Sequence, residues 1–368
     1  MEVLMRRRRL VAGLVGLALA GATLTGTAGA DERLVAYAQR AAGQRVVYSY
    51  PGLTPPESLL ARIRAGEAAG VIFFGENIAS RAQISGVVGQ LRAAAAQSPD
   101  PYPLLLMTDQ EGGLVRRLPG EPALSHKDIG QSADPGSAAT AAGRGAGQNL
   151  AGVGMNVNLA PVLDVFHAPG DLMDSYERSF SGTASVAGTL GADYVTAEQA
   201  VGVAATVKHF PGLGKANADE NTDTRPVTLN VPLSTLRGVD EAPYQRAIAA
   251  GAKLVMLSWA VYPALDAGRP AGLSATVVRE LRSRTGFTGV TCTDALEAGA
   301  LRDYGSTGDR AVLAAQAGDD LVLASARDVS QGAAAADALA GALTDGTLDS
   351  GAFGEALARV NALRASLG

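Results

Sequence analysis

The chain predicts an α/β fold built as a single (β/α)8 TIM-type barrel. Three observations lead there. About eight short apolar runs rich in Val, Ile and Leu alternate with Ala-rich segments of helical length, and polar residues gather directly after those runs. Neither G-x-G-x-x-G nor a Walker sequence follows an early run, which argues against an open doubly wound sheet, the competing fold for the same alternation.

Leu34 to Ala42 reads as a short helix, and Arg45 to Tyr50, closed by Pro51-Gly52, as the first strand. A helix from about Pro56 to Ala69 leads into a second strand, Val71 to Gly75, ending at Glu76-Asn77. A helix around Ser80 to Ala96 then precedes Leu104 to Thr108, which stops at Asp109-Gln110-Glu111-Gly112-Gly113. The remaining strands are Val157 to Ala160 before Asp164, Val203 to Val207 before Lys208-His209-Phe210-Pro211-Gly212, and Leu254 to Ser258. Gly289 to Thr293 before Asp294, and Leu321 to Ala324, complete the set, and Phe353 to Leu367 forms a helical end. No linker or composition break divides residues 31–368, so one catalytic barrel is expected.

The N-terminus carries Arg6 to Arg9, an apolar stretch from Leu10 to Leu24, and Ala28-Gly29-Ala30 before Asp31. That order is a secretory signal peptide over residues 1–30, cleaved after Ala30, and the consecutive arginines also permit twin-arginine export. The apolar stretch is short and rich in Gly and Ala for a membrane span, so the mature protein is expected to be secreted, without stable membrane insertion, as a monomer. Cys292 is the only cysteine, which rules out a disulfide within the chain. With 368 residues, 47% of them hydrophobic and a net charge of -5, the chain offers no basic stripe for nucleic acid.

Glu76, Asp109, Asp164, Lys208, His209 and Asp294 each fall at or just after a strand run, so one barrel rim gathers them. Three histidines in the whole chain, of which His209 alone is well placed, make no metal site, and no G-x-S-x-G element supplies a serine nucleophile. No cofactor is called for. Carboxylates among cationic and neutral donors suit a polyhydroxylated ligand, since sugar hydroxyls both give and accept hydrogen bonds. In glycoside chemistry one carboxylate attacks the anomeric carbon while a second group protonates the leaving oxygen.

Five ordered motifs carry a resemblance: Thr108-Asp109-Gln110-Glu111-Gly112-Gly113-Leu114-Val115-Arg116-Arg117, Asn158-Leu159-Ala160-Pro161-Val162-Leu163-Asp164-Val165, Glu177-Arg178-Ser179-Phe180, Lys208-His209-Phe210-Pro211-Gly212 and Thr293-Asp294-Ala295-Leu296. The chain resembles glycoside hydrolase family 3, in its single-domain β-N-acetylglucosaminidase branch. The resemblance implies a retaining hydrolase that releases terminal β-linked N-acetylglucosamine from peptidoglycan or chitin fragments. It implies Asp294 as the nucleophile, and Asp109, Arg178, Lys208 and His209 as the residues that hold the non-reducing sugar. Glu111 and Asp164 are read as rim or supporting residues.

The pattern breaks at the proton donor. This branch uses a histidine in an Asp-Ser-His segment, and the matching positions here are Asp219-Glu220-Asn221. An amide is no general acid near neutral pH. Leu213 likewise replaces a second histidine, and Trp259 stands where relatives often carry one, free either to stack on a sugar or to pack in the core. The leading expectation is that a carboxyl of the polar segment from Lys215 to Asp223, a mobile lid, has taken over: Asp219 first, with Glu220 or Asp223 as alternatives. The others are an enzyme confined to good leaving groups, and a secreted sugar-binding homologue with an impaired active site.

Overall fold

The computed structural model describes residues 27–368. Residues 1–26 of the expected signal peptide lie outside them, and the expected cleavage site after Ala30 falls within the helix Thr27–Gly43. Eight parallel strands close a barrel in chain order: β1 (Val46–Tyr48), β2 (Gly70–Ile72), β3 (Leu105–Thr108), β4 (Val157–Asn158), β5 (Ala204–Phe210), β6 (Leu254–Leu257), β7 (Val290–Ala295) and β8 (Leu321–Leu323). Val46 pairs with Val322 and Val47 with Leu323, so the first and last strands leave no edge. The expected barrel is present, and each expected strand run overlaps one of these strands.

Period-2 alternation along the strands sorts the core into layers. Val47, Leu105, Met107, Val157, Leu254, Met256, Val290, Cys292, Leu321 and Leu323 form one buried cluster that fills the barrel. Their neighbours Val46, Tyr48, Val71, Leu106 and Val322 belong instead to the layer packed under the helices. The helix Arg81–Ala95 shows why those segments are helical. Ser80 caps it by accepting from the Gln83 N–H at 3.1 Å, and Ile84, Val87, Val88 and Leu91 recur at the spacing of one buried face.

Two strands run further than their apolar stretches. The β5 ladder continues until Phe210 pairs with Leu257, and the β7 ladder until Ala295 pairs with Leu323, each across a register shift. Lys208, His209 and Asp294 therefore project from strand backbone, the most rigid support the fold offers. Two antiparallel hairpins were not anticipated: Gln110–Gly112 with Val115–Arg116, and Val261–Tyr262 with Asp266–Pro270. In the first, Gly112 and Gly113 adopt φ of 108° and 53°, and a Cβ at Gly112 would sit 2.1 Å from the Leu124 carbonyl oxygen.

The opposite end of the barrel is closed by charge. The buried Asp320 carboxylate accepts from Arg282 and Arg359, each at 2.8 Å, and from the Thr291 N–H at 2.9 Å.

Candidate active site

At the carboxyl ends of the strands lies a cavity of about 510 Å³. Asp109, Arg178, Lys208, His209 and Asp294 all line it, so the structure brings the expected binding residues and the expected nucleophile together.

Lys208 is buried, and its Nζ reaches Asp109 Oδ1 at 2.7 Å and Glu111 Oε1 at 2.8 Å. Glu111 is also gripped in parallel by Arg178, whose Nε and Nη2 each donate at 2.9 Å. Burial alone would raise the Glu111 carboxyl, but Arg178 and Lys208 outweigh it and hold the group well below the usual carboxylate range. Burial likewise works against the Lys208 ammonium, yet Asp109 and Glu111 leave it raised and charged. Glu111 thus supports the two cations, while Asp109, bound through one oxygen, lines the cavity.

Asp164 is fully buried and does not line the cavity. Its Oδ2 accepts from His209 Nδ1 at 2.8 Å, and its Oδ1 accepts from the backbone N–H groups of His209 at 3.2 Å and Leu213 at 2.7 Å. It therefore sets the His209 ring and the turn that follows. Glu76 stands outside the cavity, half exposed beside Arg327 at 3.6 Å.

Asp294 projects from β7, with Oδ1 accepting from the Ala295 N–H at 2.7 Å. Burial pushes its carboxyl above the ordinary aspartate range. His209 and Lys208 pull it back, and the nearby Asp223 pushes it up further. Trp259, expected either to stack on a sugar or to pack in the core, takes the second role. It is buried, does not line this cavity, and donates from Nε1 to the Ala295 carbonyl at 2.9 Å.

Arg117 also lines the cavity, and the sequence reading gave it no role. Its neighbour Arg116 donates to the exposed Gly120 carbonyl, whereas Arg117 has no side-chain hydrogen bond or ion pair among the described residues and a buried Nε. Alternation just beyond the hairpin strand was the available signal.

The polar segment lines the cavity through Asn221, Thr222 and Asp223. Asp219, the expected acid, is not among them. Its side chain is 84% exposed, and Arg225 holds its Oδ2 at 2.9 Å. Glu220 turns back on Asn217, accepting from the backbone N–H at 2.8 Å and from Nδ2 at 3.0 Å. The segment was expected to be a mobile lid. Instead the Gly299 N–H donates to the Asp223 carbonyl at 2.8 Å and the Ala300 N–H to the Thr222 carbonyl at 2.9 Å, docking it on the loop after β7.

Residues 49–363 match the family model described as the glycosyl hydrolase family 3 N-terminal domain. A relative from Arthroderma benhamiae, described as an uncharacterized secreted glycosyl hydrolase, is 45% identical over 329 residues, covering 89% of this chain and 93% of its own. Among solved structures, a family 3 β-N-acetylglucosaminidase from Paenibacillus superposes with a TM-score of 0.83 at 33% identity, over 89% of this chain. This chain spans 62% of that protein's length. A β-N-acetylhexosaminidase from Beutenbergia cavernae superposes with a TM-score of 0.80 at 32% identity, covering 89% of this chain and 98% of its own.

Proposed function

Because the chain belongs to glycosyl hydrolase family 3, we propose that it is an exported, retaining β-N-acetylglucosaminidase that removes a terminal β-linked N-acetylglucosamine through a covalent glycosyl ester on Asp294. The observation that carries this reading is the Asp294 carboxylate on β7, lining one cavity with Asp109, Arg178, Lys208 and His209. Charged donors and acceptors fixed before the ligand arrives can hold the hydroxyls of the terminal ring and favour its oxocarbenium-like transition state. Burial raises the Asp294 carboxyl, and the neighbouring His209 and Lys208 offset part of that cost and favour the ionised form a nucleophile needs.

Export fits the basic and apolar N-terminus and the secreted description of the Arthroderma relative. Substrates then lie outside the cytoplasm, as peptidoglycan or chitin fragments. Asn221, in place of the branch's histidine, favours a second reading, a sugar-binding homologue.

Hydrolysis of an activated aryl β-N-acetylglucosaminide and of a natural disaccharide separates the two. The hydrolase reading expects turnover of both, a loss of roughly 10³-fold or more in Asp294→Ala, and a trapped glycosyl ester on Asp294 in mass spectra. Binding of N-acetylglucosamine without turnover of either substrate would establish the sugar-binding reading instead.

A further inference from the structure

We infer that Asp223 is the acid/base residue of this site, and that Asn221, through the turn it builds, is its positioning residue. The inference rests on the hydrolase reading above and names the group that reading leaves open.

Elimination among the carboxylates lining the cavity points to Asp223. They are Asp109, Asp223, Asp294 and Glu297. Glu297 has both oxygens engaged, accepting from Ser325 Oγ at 2.8 Å and from Gln331 Nε2 at 3.0 Å. Asp109 is engaged through Oδ1 by the buried Lys208 ammonium at 2.7 Å, within the ion-pair cluster assigned to the terminal sugar. Asp294 is the nucleophile. Asp223 is the one whose carboxylate has no hydrogen-bond or ion-pair partner among the described residues. Asp219 and Glu220 are consumed by Arg225 and Asn217. His209, the remaining titratable side chain beside Asp294, is fixed by Asp164, and a charge on it favours the ionised Asp294 that a nucleophile must be.

Asp223 is held in place by its backbone, which leaves the side chain free. Asn221 Oδ1 accepts from the Asp223 N–H at 2.8 Å, and the Asn221 carbonyl accepts from Thr224 Oγ1 at 2.9 Å. This is the local turn that asparagine favours and an imidazole does not reproduce. On the far side the Gly299 N–H clamps the Asp223 carbonyl, and a Cβ at Gly299 would lie 2.3 Å from the Thr224 carbonyl oxygen, so this approach requires glycine. The residue at the branch's histidine position thus aims a carboxyl two places on.

In the first step an Asp294 oxygen bonds to the anomeric carbon as the bond to the leaving oxygen breaks, and the Asp223 carboxyl gives that oxygen its proton. In the second, the Asp223 carboxylate takes a proton from water. The water oxygen bonds to the anomeric carbon, the ester bond breaks, and free sugar, ionised Asp294 and protonated Asp223 remain.

The test compares Asp223→Asn and Asp223→Ala with Asp219→Asn and Glu220→Gln in the full chain, using a dinitrophenyl β-N-acetylglucosaminide and a natural disaccharide. Expected for Asp223→Asn is a loss of roughly 10²- to 10⁴-fold on the disaccharide and a smaller loss on the aryl glycoside, which needs no protonation to leave. Azide, which needs no general base, restores aryl turnover in Asp223→Ala and yields the β-glycosyl azide. Asp219→Asn and Glu220→Gln keep the wild-type ratio between substrates. Asn221→Ala lowers kcat on the disaccharide with KM unchanged, and Asn221→Asp, which keeps the acceptor, restores it. Equal losses on both substrates without azide rescue, or disaccharide cleavage at the wild-type rate in Asp223→Asn, overturn the assignment while leaving the hydrolase reading standing. A wild type that cleaves neither substrate overturns both.

Discussion

His209 Nδ1 donates to Asp164 Oδ2 at 2.8 Å, and the other Asp164 oxygen accepts two backbone N–H groups from the same turn. One buried carboxylate thereby fixes the ring's tautomer, its orientation and the chain that follows it. Asp164→Asn would leave a donor facing a donor at one of these contacts. The expected result is a fall in kcat/KM of roughly 10- to 100-fold, with about 2 kcal/mol lost in urea unfolding. An unchanged kcat/KM would show that His209 needs no such orientation.

Glu111 gives a pH signature. Its folded carboxyl sits below the usual range, so the unfolded chain binds the extra proton and stability rises with pH. The contribution is complete above the ordinary glutamate value, about pH 4.3, and drains away as pH falls toward the depressed folded value. Glu111→Gln strands the buried charges of Lys208 and Arg178, and should cost about 3 to 5 kcal/mol near pH 7. The gap between the two proteins should close as the pH drops below about 4. Melting curves from pH 7 to 3 check this, and a constant gap would contradict it.

Arg117 separates binding from stability. A guanidinium with no partner among the described residues stabilises little, so Arg117→Ala should change unfolding free energy by no more than about 0.5 kcal/mol. Facing the cavity, it should bond a ligand polar group, and its loss should raise KM for either substrate about 10- to 100-fold, as expected for a charged hydrogen bond of roughly 1.5 to 3 kcal/mol. A large stability loss with unchanged KM would make it structural.

The barrel and most of the cavity were legible because both follow from local pattern. Apolar runs of strand length mark the walls, and Asp109, Lys208 and Asp294 stand at their ends whatever the loops do. The roles of Asp219 and Asp223 were not legible. Both are aspartates of one polar segment, and what separates them is Arg225 closing on the first and Gly299 docking beside the second, contacts that only the folded chain makes. The hairpin that carries Arg117 depends in the same way on how closely Gly112 approaches Leu124.

Asp320 tests the division between the two ends of the barrel. Removing its carboxylate leaves Arg282 and Arg359 without their shared anionic partner and the buried Thr291 N–H unpaired. Asp320→Ala should cost about 3 kcal/mol or more in stability. At a temperature where the variant stays folded, kcat/KM should match the wild type, because that end carries no site residue.

Trp259 decides between stacking and bracing. A stacking platform would lose sugar affinity on substitution, so KM would rise while kcat held. The hydrogen bond from its indole to the Ala295 carbonyl predicts the reverse, since Ala295 also donates the N–H that holds Asp294. Trp259→Phe keeps most of the packing and deletes that bond, at a cost of about 1 kcal/mol in stability. With the nucleophile less firmly held, kcat should fall about 3- to 10-fold while KM stays within about twofold. Steady-state kinetics on the aryl substrate read both constants at once, and a raised KM at unchanged kcat would return Trp259 to the sugar.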